Sequence, residues 1–266
     1  MEHLAEAGII EDSVFAFYLE SYGKGPSFVD IGAIVPSHMR KGMEPIWLNL
    51  TPHMYWMVSK VSGVRYNHST SFKWLKNENA SYSAIFDSGT SLTMVPTDLY
   101  DHIIDKIIKT ARETVQTWKQ DQLTLVPCNA EKNLPVIELL IEDYWVEMHP
   151  HDYLVKSLND GKVCMIGLQP SGTDFFIFGD TLMRGFYTIH SDKENKIGIV
   201  PHRRSKKSLP ELAKTPLDTF INASGMLGLN QQEINELIGA IILTIILIIV
   251  IYYYCSKKQG KEKTEE

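Results

Sequence analysis

The sequence predicts an all-β body followed by one C-terminal transmembrane helix. Short apolar segments alternate with Gly, Pro, Ser and Asn turn signals as far as Pro201, the pattern of an antiparallel β protein. Aromatic residues at 10% and 12 prolines favour strands and turns over long helices. Close to the end, residues 237–255 read LIGAIILTIILIIVIYYYC without a single charge.

The elements follow in order. Phe15 to Leu19 reads as a strand, and Ser21-Tyr22-Gly23-Lys24-Gly25-Pro26 as a turn. Phe28 to Val35, Pro45 to Leu50 and Tyr55 to Val64 read as further strands. An apolar run, Ser83-Ala84-Ile85-Phe86, then delivers Asp87 onto the turn Ser88-Gly89-Thr90-Ser91. Gly89 lets such a turn bend back without Cβ strain, and hydroxyls and backbone N–H groups stand ready to hydrogen-bond the carboxylate.

Pro96-Thr97 opens a helix. Leu99, Ile103, Ile104, Ile107, Ile108 and Ala111 recur at helical spacing, with Asp101, Asp105, Lys106 and Lys109 on the other face. Strands are expected again at Val136 to Glu142, Tyr144 to Met148, Lys162 to Gly167 and Phe175 to Phe178. A hairpin of Gly185 to His190 with Lys196 to Val200 closes the body. Residues 202–236 turn polar and read as a stalk.

A helix over 237–255 covers about 28 Å, against a hydrocarbon layer of about 30 Å. Tyr252, Tyr253 and Tyr254 suit a headgroup boundary. Lys257, Lys258, Lys261 and Lys263 follow the span, and no Lys or Arg lies between Thr215 and Glu236. The positive-inside rule therefore places the tail 256–266 in the cytosol and the body, 1–201, in a lumen or outside the cell. This is the arrangement of a single-pass protein of the endomembrane system, a vacuole or the cell surface. The start, Met1-Glu2-His3-Leu4-Ala5-Glu6, shows neither a basic nor an apolar leader region, which points to a longer natural N-terminus. Asn67, Asn79 and Asn222 lie in N-x-S/T sequons and become glycosylation candidates in that compartment, whereas Pro52 weakens a fourth at Asn49.

A net charge of −6 gives no reason to expect a nucleic-acid partner. Cys128 and Cys164 fall within the body and Cys255 at the membrane edge. The first two are either a disulfide or two buried thiols on composition alone. No CxxC or HxxxH cluster occurs, so no metal site is expected, and nothing calls for a cofactor.

With Asp87-Ser88-Gly89-Thr90-Ser91 in place, the chain resembles the C-terminal lobe of pepsin-like eukaryotic aspartic proteases of the membrane-anchored kind. The likeness runs in order from Gly8-Ile9-Ile10 through Leu19, Tyr55-Trp56, Leu92 to Pro96, Phe176-Ile177-Phe178-Gly179-Asp180 and Lys196 to Pro201. The resemblance implies one lobe of a bilobal enzyme with Asp87 as one of two catalytic aspartates. Ser88 would reach toward the opposite lobe, Thr90 would hydrogen-bond the Asp87 carboxylate, and Ser91 would line the substrate cleft. It also implies a Cys128–Cys164 disulfide and a structural Asp180. Ala33 stands where the family often has a second glycine after Gly32, a change that ordinary negative φ tolerates.

The chemistry implied needs two carboxyls. One, ionised, takes a proton from water; the other, protonated, stabilises the developing oxyanion. The sequence holds one D-[ST]-G turn. It therefore reads as an aspartic endopeptidase lacking its first lobe, with peptide or protein substrates and the missing N-terminal lobe as partners. The alternatives are an inactive, membrane-tethered lobe that binds peptides or proteins, and a homodimer pairing Asp87 with its copy.

Overall fold

The computed structural model describes residues 1–21, 24–52, 55–76, 80–156, 161–214 and 235. Met1–Ala213 forms one compact unit, and the account below concerns it alone. The expected span 237–255, the tail, Asn79 and Asn222 lie outside the described residues. Among the described residues no helix is long and apolar enough to cross a membrane.

After the short helix α1 (Glu2–Glu6) come β1 (Val14–Tyr18), β2 (Phe28–Ile31), β3 (Ile46–Asn49), β4 (Met57–Tyr66), β5 (Lys73–Trp74), β6 (Tyr82–Phe86) and β7 (Thr93–Val95). Helix α2 (Thr97–Thr110) is followed by β8 (Trp118–Gln120), β9 (Leu123–Pro127), β10 (Ile137–Ile141) and β11 (Tyr144–Met148). The helical turn α3 (Pro150–Tyr153) leads to β12 (Leu154–Lys156), β13 (Val163–Ile166), β14 (Leu168–Pro170) and β15 (Phe176–Phe178). The turn α4 (Asp180–Met183), β16 (Phe186–Ser191), β17 (Lys196–Pro201) and β18 (Glu211–Leu212) complete the unit.

The strands build three sheets. One runs β2-β1-β16-β17-β3, a second β14-β7-β15-β6-β4-β10-β11-β18 with β5 beside β4, and a third β12-β13-β9-β8. The body is mostly β, as the alternation of apolar runs and turns predicts. Helix α2 buries Leu99, Tyr100, Ile103, Ile104 and Ile107 and leaves Asp101, Asp105, Lys106 and Lys109 exposed. Each isoleucine so buried is worth about 1.5–3 kcal/mol, which holds the helix to the core without a side-chain N-cap.

Three segments depart from expectation. The strand expected over Phe28 to Val35 stops at Ile31, because Gly32 turns the backbone at φ +85° against Ile10, where a Cβ would sit 2.5 Å from the isoleucine Cβ. Pro36 then opens a 3₁₀ turn through His38. Ala33 keeps a negative φ, as a non-glycine there requires.

The hairpin of β8 and β9, not expected from the sequence, closes through the two-residue turn Asp121-Gln122, with Asp121 at φ +53°, and β9 pairs on its other side with the distant β13. Lastly, the polar segment expected to leave the body at His202 stays on it. His202 and Lys207 are fully buried, and β18 adds to β11 as an edge strand, so the body ends at Ala213 rather than Pro201.

Cys128 and Cys164 form a disulfide with Cα atoms 4.9 Å apart. It joins the end of β9 to β13 and closes a loop of 36 residues, which by chain entropy contributes about 4 kcal/mol.

Candidate active site

The turn after β6 owes its shape to a strand from far along the chain. β15 enters the sheet between β6 and β7, parallel to the first and antiparallel to the second. It thus lies between the two strands that the turn connects and fixes both ends of it. Asp87 donates its backbone N–H to the Phe178 carbonyl at 3.0 Å, and Thr90 donates its own to the Asp87 carbonyl at 3.2 Å.

The Asp87 side chain is then held from two directions. The Gly89 backbone N–H donates to Oδ1 at 2.9 Å, and the Thr90 hydroxyl donates to Oδ2 at 2.6 Å. Hydrogen bonds to a charged acceptor are worth about 1.5–3 kcal/mol each, so the carboxylate is fixed in one orientation. Asp87 is half-buried, while Ser88, Gly89 and Ser91 are exposed, so the turn faces outward from the body.

Gly89 does not take the left-handed backbone that a tight turn suggests. What a side chain there would meet is the carboxylate itself: a Cβ would lie a tight 3.1 Å from Asp87 Oδ1. Gly179 is the stricter case. A Cβ at that position would stand 2.1 Å from the Thr90 carbonyl oxygen and 2.3 Å from that of Leu92. The apolar-apolar-Gly pattern that ends β15 is therefore a steric requirement of the turn it crosses.

Behind the turn, the Asp180 backbone N–H donates to the Thr90 carbonyl at 2.9 Å. Thr181 and Thr93 share a hydrogen bond at 2.8 Å between their buried hydroxyls, and Thr181 also donates to the Gly167 carbonyl at 3.2 Å. None of this second layer was visible as a motif. The signal that could have found it is the pair of threonines that the sheet makes neighbours. Burial pushes the Asp180 carboxyl upward, Arg184 draws it back, and the Asp87 charge adds to the rise. Arg184 Nη2 lies 3.7 Å from the partly exposed Asp180 carboxylate.

Asn67, one of the glycosylation candidates, is exposed at the tip of a turn where both it and His68 have positive φ. Its Oδ1 accepts from the Val136 N–H at 3.0 Å. Among the described residues no cluster of His, Cys, Asp or Glu has the arrangement of a metal site.

The Asp87 carboxylate is thus fixed by a glycine N–H and a threonine hydroxyl on a turn threaded by a distant strand. The model of the eukaryotic aspartyl protease family matches residues 1–202, and the chain belongs to that family. Similar relatives include pepsin-2B of Gadus morhua, 26% identical over 205 residues that make up 75% of this chain and 57% of the relative. Cathepsin E of Mus musculus is 25% identical over 208 residues, 75% of this chain and 48% of that protein. Pepsin A of Gallus gallus is 24% identical over 205 residues, with 75% and 50% covered. The chain spans about half the length of the curated relatives it matches.

Proposed function

We propose that Asp87 is one of the two catalytic aspartates of an endopeptidase, working with a second carboxyl-bearing lobe supplied by the same chain or by another. The observation that carries this is the orientation of its carboxylate, fixed at both oxygens on an outward-facing turn. In that assembly Asp87 shares one proton with its partner across a bound water. One carboxyl acts as base toward the water, and the other hydrogen-bonds the scissile carbonyl of a peptide substrate. Thr90 keeps an Asp87 oxygen directed at the water, Ser88 meets the opposing lobe, and Ser91 lines the cleft. No cofactor takes part.

We further infer that residues 237–255 anchor the protein, with the body lumenal or extracellular and 256–266 cytosolic. The disulfide supports this reading, since such bonds persist in oxidising compartments. Asn67 and the sequons at Asn79 and Asn222 are then glycosylation acceptors.

The test uses protein captured from its native cells, wild type and Asp87→Asn, on an internally quenched peptide at acidic pH. Cleavage abolished by Asp87→Asn is the expected result, and cleavage that survives it overturns the proposal. Absence of cleavage by both, with peptide capture retained, would favour the inactive binding lobe, a reading motivated by the single aspartate turn of the sequence. Resistance to alkaline extraction and a glycosidase-sensitive mass test the anchor and its orientation.

A further inference from the structure

The segment from Arg203 to Ala213 lies beyond the residues matched by the family model, yet it is bound tightly to the lobe. Its backbone is tied at many points. The Arg203 N–H donates to the His38 carbonyl at 2.8 Å, Arg40 Nη1 donates to the Lys207 carbonyl at 2.9 Å, and the Ser208 N–H donates to Glu147. Glu211 pairs with Arg65 at 2.6 Å, and the Ala213 N–H reaches the Asp143 carbonyl at 2.7 Å.

In the middle of this strap Lys207 turns inward and is completely buried. Its Nζ lies 3.3 Å from Asp152 Oδ2, donates to the Leu182 carbonyl at 3.1 Å and sits 4.2 Å over the Phe186 ring. Asp152 is buried as well, and its other oxygen accepts from the Ser21 hydroxyl at 2.7 Å. Gly185, at φ +81°, makes room for the lysine stem: a Cβ there would lie 3.0 Å from Lys207 Cδ and Cε.

A buried ammonium is expensive to desolvate, and an apolar side chain would fill this space at lower cost. What the ammonium adds is a link from the strap and α3 to the single helical turn α4. That helix begins at Asp180, whose N–H holds the Thr90 carbonyl, and carries Thr181, which bonds Thr93. The path from Lys207 to the Asp87 turn is thus continuous: Lys207 to Leu182, α4 to Thr90, and Thr90 to the Asp87 carboxylate.

We infer that Lys207 is a positioning residue for the Asp87 turn, and that the strap supports the candidate active site from behind through α4. Its catalytic meaning rests on Asp87 being the reactive carboxylate. The support itself does not, and the test needs no activity.

Amide hydrogen exchange is measured on the full chain in detergent micelles, for wild type and Lys207→Met, which keeps the stem and removes the charge. Loss of one charge-assisted bond should raise exchange about tenfold in 88–92 and 179–183, with β8 and β9 unchanged. Faster exchange confined to 203–213, or no change anywhere, overturns the inference. Should Lys207→Met unfold because the buried Asp152 loses its lysine partner, Lys207→Met combined with Asp152→Asn removes that penalty, and the same selective pattern is expected. Uniform acceleration across the lobe in the double variant also overturns it, since the support would then be diffuse. A 13C carboxyl titration reads α4 at a second point, because burial there is what raises the Asp180 carboxyl. The Asp180 carboxyl should shift back toward the ordinary range when α4 loosens, and an unmoved titration counts against the inference.

Discussion

The Asp87 turn and the disulfide-bearing sheet sit on one lobe and are secured in opposite ways. At the turn every constraint is noncovalent and short in range: two hydrogen bonds to one carboxylate, a backbone bond to the crossing strand, and Gly179, where a Cβ has no room. In the sheet β12-β13-β9-β8, pairing is sparse, Trp118, Lys119 and Gln120 are all exposed, and a covalent bond fixes the topology. A disulfide restricts which parts of the chain meet, whereas a set of hydrogen bonds dictates where an oxygen points. A site that must aim a carboxylate needs the second kind of restraint.

The sharpest way to break this contrast is Gly179→Ala. Contacts of 2.1 and 2.3 Å with carbonyl oxygens leave nowhere for a methyl group, and the cost should exceed about 4 kcal/mol. A urea transition at the wild-type midpoint would show that the crossing is not sterically tight. Replacing Cys128 and Cys164 together by serine should lower stability by about 3–4 kcal/mol while leaving amide exchange at Gly89 and Thr90 unchanged in native conditions. Accelerated exchange at those two amides would mean the regions are coupled.

Acid also acts on two buried imidazoles outside both regions. Burial draws the rings of His190 and His202 down to about 4. Their unfolded forms take up a proton near pH 6.5, so the unfolded chain binds more protons between those values and stability falls as pH drops from about 6.5 to about 4. Each ring should contribute about 3 kcal/mol to that loss. The His190 ring stacks on Phe15 at 4.7 Å and its Nδ1 is buried without a hydrogen-bond partner, so His190→Phe should remove its share. An acid limb unchanged in that variant would assign the loss elsewhere. The smallest effect is expected for Thr90→Val, about 1.5–3 kcal/mol from losing the bond to Asp87 Oδ2, read as a shift in urea midpoint at constant slope.

Local pattern made much of this legible. Short apolar runs between turn signals located β1, β4, β6, β10, β11 and the closing hairpin, the 3.6 period located α2, and the small residues after Phe86 located the turn. What stayed hidden depends on partners distant in sequence. Nothing in Trp118-Lys119-Gln120 marks a strand, because its apolar face is not its own but that of the sheet it joins. Residues 202–213 read as a solvated linker because their charges are counted as exposed. Burial of Lys207 becomes intelligible only once Asp152 and the Leu182 carbonyl are seen beside it. Gly89 was found for a reason the structure replaces, close approach rather than a left-handed bend.

The threading of β15 between β6 and β7 also has a consequence for biosynthesis. Ala84 lies opposite Phe176, and Phe86 opposite Phe178. A ribosome that has released the Asp87 turn has yet to make the strand that shapes it. Until residues beyond Gly179 emerge, β6 and β7 flank an unfilled gap with their pairing edges open, the condition under which nascent β proteins recruit chaperones or aggregate. The carboxylate is thus encoded early and set in place late, and a nascent chain halted before Phe176 would carry the aspartate but not the site.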